Sequence, residues 1–108
     1  MSTYYILDGH KAIPCTSLEW ARWYETAKQK RIVAKDTVCG HDISTVFLGL
    51  DHQWNDVGPP HIFETMVFGG PLDQEQERCS TWEQAEKMHG DMCNRVRAVN
   101  KTEDERSI

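Results

Sequence analysis

The chain predicts an α+β domain: two layers, a mostly antiparallel sheet with two helices packed on one face, in the order β-α-β-β-β-α. Three observations carry this expectation. Short stretches rich in β-branched and aromatic residues alternate with Gly, Pro and Asp turn signals. Two longer stretches repeat apolar residues at helical spacing, each behind a Ser/Thr-x-x-Glu capping signature. At 108 residues, 39% hydrophobic and 27% charged, the chain can build one core but not two. A single domain over residues 1–99 is expected, followed by a frayed polar tail over 100–108.

In order, Tyr4-Tyr5-Ile6-Leu7 is a first strand, ended by the turn signal Asp8-Gly9. Ile13-Pro14 falls in the connection that follows. Thr16 and Glu19 form a capping box that starts a helix running to about Lys28, with Trp20, Trp23, Tyr24 and Ala27 as its apolar stripe. Arg31 to Lys35 is a second strand, and Asp36 to Asp42 a turn centred on Cys39-Gly40. Ile43–Leu50 and Ile62–Phe68 are the third and fourth strands, the pair around which the sheet is organised. Gly49 signals a bulge or the close approach of another group. Glu64 is a carboxylate in the otherwise apolar row Ile62, Met66, Phe68. Gly69-Gly70-Pro71 breaks the fourth strand, and a short edge strand near Glu77–Cys79 is possible on this pattern. Ser80 and Glu83 read as a second capping box, opening a helix from Trp82 to about Val99 with the stripe Ala85, His89 or Met88, Met92, Val96 and Val99. The helix-free face of the sheet is expected to carry Phe47 and Val67.

Composition excludes several classes. A net charge of −5 argues against bulk nucleic-acid binding, which needs a positive surface. No apolar run approaches the ~20 residues of a membrane span, and no basic segment followed by a long apolar run opens the chain, so neither a membrane anchor nor a signal peptide is expected. The cysteines (Cys15, Cys39, Cys79, Cys93) include no Cys-x-x-Cys pair and read as reduced, small semi-buried residues. Lys28, Lys30, Arg31 and Lys35 form a basic run able to complement a helix end or to meet a phosphate.

The loop between the third and fourth strands gathers chemically capable side chains, and the candidate binding residues are Asp51, His52, Trp54 and His61 from it, with Glu64 and Arg31. Asp51 and His52 are adjacent, so on extended backbone they point to opposite faces. No helical His-x-x-x-His or Glu-x-x-His pair is present, and no nucleophile elbow, Walker loop or Gly-x-Gly-x-x-Gly fingerprint. No catalytic residue, metal ligand or cofactor is therefore assigned. An aromatic such as Trp54 and an arginine such as Arg31 suit a small nucleotide-like ligand.

The stretches STVFLGLDH (Ser44–His52), PPHIFETMVFGG (Pro59–Gly70) and STWEQAEKMH (Ser80–His89) resemble a group of small uncharacterised proteins encoded by tailed bacteriophages and prophages. The resemblance extends over Tyr4 to Arg97 and brings no known activity with it. It implies an accessory protein in the cytoplasm of a bacterial host. The expectation is a non-enzymatic homodimer that blocks a host protein or sequesters a nucleotide-like defence signal. The alternatives are a small metal-assisted hydrolase using Asp51, His52, His61 and Glu64, or a minor virion or assembly component.

Overall fold

A computed structural model describes residues 3–51 and 58–106, with side chains to residue 101. The chain folds as an α+β domain. Its strands are β1 (Tyr4–Asp8), β2 (Lys11–Cys15), β3 (Ile32–Val38), β4 (His41–Phe47), β5 (Phe63–Phe68) and β6 (Gln76–Cys79). Its helices are α1 (Ser17–Ala27), extended by a 3₁₀ turn over Lys28–Arg31, and α2 (Trp82–Arg106). β3 to β6 form an antiparallel meander in sequence order, and β1 and β2 form a separate hairpin.

The hairpin adds a strand to the sequence expectation. Pro14 lacks a donor, which argues for a connection. It is accommodated because β2 pairs on one side only, with Pro14 opposite Tyr5. The central strands start and stop away from their expected limits. Cys39 and Gly40 both take positive φ (54° and 79°), giving a two-residue turn that lets β3 run to Val38 and β4 start at His41. At its other end β4 stops at Phe47, because Leu48–Leu50 leaves the sheet to meet the hairpin. Tyr5 N–H donates to the Gly49 carbonyl at 2.7 Å, and Tyr4 bridges Leu50.

α1 begins as its sequence dictates. The Thr16 hydroxyl accepts from the Glu19 amide, and the Glu19 carboxylate accepts from the Thr16 amide. Its aromatic stripe packs against the hairpin and the end of β4. The Trp20 indole lies beside Tyr4 and Tyr24 and donates to the Leu48 carbonyl at 3.1 Å. Trp23 sits edge-on to Phe47. Gly49, at φ +70°, lies in this contact. A Cβ there would stand 2.5 Å from both the Trp20 Nε1 and the Tyr5 carbonyl oxygen.

α2 covers one face of the meander. Ile43, Thr45 and Phe47 of β4 and Phe63, Thr65 and Val67 of β5 are all buried on that face. Val38, Ile43, Val67, Met92, Cys93 and Val96 form one apolar cluster; Leu7, Phe47, Ile62, Phe63 and Ala85 form the other. Phe47 and Val67 therefore lie under the helix, and the open face belongs to the alternate set: Ile32, Ser44, Val46, Glu64, Met66 and Phe68. Strand alternation separates the two sets, but one helix stripe cannot say which set it will cover. α2 continues to Arg106, so the segment expected to be a frayed tail is mostly helical. Its cap is also displaced by one residue: the Thr81 hydroxyl accepts from the Gln84 amide, and the Gln84 side-chain oxygen accepts from the Ser80 and Thr81 amides. No helix among the described residues is long and apolar enough to cross a membrane.

Candidate functional site

The residues singled out from the sequence do not converge. The Asp51 carboxylate accepts from the His61 amide at 3.1 Å, tying together the two ends of the loop between Leu50 and Ile62. His52 and Trp54 lie outside the described residues. Glu64 stands opposite Arg78 across β5 and β6 and accepts from its Nε at 2.9 Å, which accounts for a carboxylate in that row. Among the described residues, Asp51, His61 and Glu64 belong to no group of three metal-capable side chains.

Arg31 occupies the most distinctive position of the set. It ends the 3₁₀ turn after α1, and its guanidinium carbon lies 3.8 Å from the centre of the Tyr24 ring. Cation–π stacking of this kind contributes about 0.5–1 kcal/mol. The Arg31 Nε is buried and finds no hydrogen-bond partner among the described residues. Beside it a cleft of about 330 Å³ opens on the side of the sheet away from α2, lined by Tyr24, Lys28, Gln29, Arg31, Ile32, Lys35, Ser44 and Val46. Lys28 follows the C-terminus of α1, where a cation complements the helix dipole. That argument does not extend to Lys35, which comes from β3 opposite Ser44. Two elements thus bring three cations to one cleft in a chain of net charge −5.

A second polar group lies under α2. Thr65 and Thr45, paired across β5 and β4, bring their hydroxyls to 2.5 Å. Thr45 Oγ1 is 2.7 Å from His89 Nδ1, and His89 Nε2 is 2.7 Å from Asp36 Oδ2. Both threonines are fully buried, His89 is buried, and Asp36 reaches solvent. An ionised carboxylate only accepts, so Nε2–H donates to Asp36. In the neutral ring Nδ1 then accepts from Thr45, and Thr45 accepts from Thr65. The order hydroxyl–imidazole–carboxylate resembles a nucleophilic triad. Thr45 is sealed beneath the helix, however, so no substrate can reach its oxygen.

Cys93, one helical turn after His89, joins this group: its sulfur, a His89 nitrogen and an Asp36 oxygen all lie within 4.8 Å of one another. Burial pushes the Cys93 thiol upward and the Asp36 charge adds to this, while Arg97 works against both. On sequence pattern alone Asp36 falls in a turn, Cys93 among small semi-buried thiols and His89 on the apolar stripe of α2. The available signal was His89-x-x-x-Cys93, which puts an imidazole and a thiol on one helix face. A search confined to His-x-x-x-His and Glu-x-x-His passes over it. Asp36 carries no such local signal, because its role depends on β3 reaching Val38.

Comparisons of the chain with protein-family models, with curated proteins and with solved structures find no match in any of the three.

Proposed function

We propose that this protein is a non-enzymatic binding protein that takes a small phosphorylated, nucleotide-like ligand in the cleft between the end of α1 and the open face of the sheet. The observation that carries this reading is the Arg31 guanidinium, stacked over Tyr24 at the wall of a cleft that Lys28 and Lys35 also line. Arginine's planar fork matches phosphate oxygens, Lys28 and Lys35 add charge, and Ser44 and Gln29 offer neutral hydrogen bonds. The volume is at the small end of the range for ligand sites, which fits a mononucleotide-sized molecule rather than a polymer.

In the setting implied by the phage resemblance, such a protein sequesters a nucleotide signal in a host cytoplasm. A thermal-shift screen in chelator-treated buffer, against cyclic nucleotides, mononucleotides and ADP-ribose-type compounds, tests the reading. Stabilisation by at least one phosphorylated compound, and none by its nucleoside, is expected. Silence across the panel would defeat the proposal.

A further inference from the structure

We propose that Asp36, His89 and Cys93 form a binding site for a thiophilic divalent metal ion, Zn²⁺ fitting the donors best, with the Thr45–Thr65 hydroxyl pair orienting the imidazole. Separately from the basic cleft, this assigns a second site to the protein, and it departs from the sequence expectation of no metal.

His89 and Cys93 are four residues apart on α2, the separation at which two side chains on one helix face can share an ion. Asp36 reaches the same point from β3, so the ligands come from two packed elements. A tetrahedral ion with bonds of about 2.0–2.3 Å holds its ligand atoms roughly 3.3–3.8 Å apart. The three atoms already lie within 4.8 Å of each other. The Asp36–His89 contact of 2.7 Å must open by about an ångström, and the Asp36 side chain, 58% exposed, is free to swing. Sulfur, imidazole nitrogen and carboxylate oxygen together suit Zn²⁺ or Co²⁺ and are poor for Mg²⁺ or Ca²⁺.

The hydroxyl pair completes the arrangement. A metal-bound imidazole commonly donates its other N–H to a fixed acceptor, which sets the ring orientation. With the ion on Nε2, the Nδ1–H donates to Thr45 Oγ1. Hydroxyls both donate and accept, so the Thr45–Thr65 pair can reverse without moving heavy atoms. The Cys93 thiol proton passes to solvent as the thiolate binds. The ion enters from the Asp36 side, and three protein ligands leave a fourth position for water.

The test is titration of Co²⁺ into chelator-stripped protein, followed by absorbance. The expected result is one equivalent bound with a thiolate-to-cobalt charge-transfer band, displaced by Zn²⁺. Cys93→Ser and Cys93→Ala, both checked for fold by circular dichroism, lose the band. Asp36→Asn, at an exposed side chain, weakens binding at least about tenfold, and Thr45→Val weakens it about 10–100-fold. A wild-type protein without the band, a band that survives removal of Cys93, or equal affinity in Asp36→Asn would each overturn the assignment.

Discussion

His89 of α2 and Asp36 of β3, 53 positions apart in the chain, meet at 2.7 Å and join the buried Thr45–Thr65 pair to the protein surface. Each member of this line depends on the next. Replacing Thr45 by the near-isosteric valine strands a buried His89 nitrogen. It should cost about 1–3 kcal/mol by urea denaturation. Thr65 lies at the end of the line, so Thr65→Val in the Thr45→Val background should cost less than it does alone, and a double-mutant cycle reads the difference.

Gly49 should tolerate no side chain. Gly49→Ala adds left-handed backbone strain of about 1–2 kcal/mol to steric overlap worth about 1–3 kcal/mol against Trp20 and the Tyr5 carbonyl. The tyrosine carbonyl is backbone and cannot yield cheaply. A fall in Tm, with altered fluorescence of Trp20, is the expected observation.

The two caps show how far local sequence reaches. Thr16-x-x-Glu19 is unique in its stretch and forms as expected. At α2, Ser80-x-x-Glu83 and Thr81-x-x-Gln84 both satisfy the pattern. The choice is made by β6, which stays paired through Cys79 opposite Phe63 and leaves Ser80 to exit the strand. Thr81→Ala should therefore cost about 0.5–2 kcal/mol, whereas Ser80→Ala should be close to neutral in thermal denaturation.

The first cap also sets a pH dependence. The Thr16 amide and hydroxyl hold the Glu19 carboxyl below its ordinary value. A depressed folded-state pKa gives stability that is present above the unfolded value and is lost as pH falls through the folded one. Glu19→Gln cannot titrate. The stability difference between wild type and Glu19→Gln should therefore shrink as pH drops below the usual carboxylate range.

The same contrast between local and distant information holds for the candidate sites. Strand alternation, the aromatic stripe of α1 and the close approach at Gly49 are short-range patterns, and each was legible in the sequence. β2 was hidden by Pro14, whose cost disappears only because that strand has a single partner. Arg31 stood out as a possible ligand contact, but the cleft needs Lys35 and Ser44 from neighbouring strands. Asp36 and His89 become partners only through the register of β3 against β4 and the seating of α2. Such long-range pairings leave no trace in spacing along the chain.

The most direct measurement of the binding reading is calorimetric titration of wild type and Arg31→Met with the best compound from the phosphorylated panel, at two salt concentrations. Charge-assisted bonds from Arg31 predict a loss of about 10–100-fold in the variant and weaker wild-type binding at high salt, with unchanged circular dichroism. Equal affinity in wild type and Arg31→Met would contradict the placement of the ligand in the cleft of Tyr24, Arg31 and Lys35.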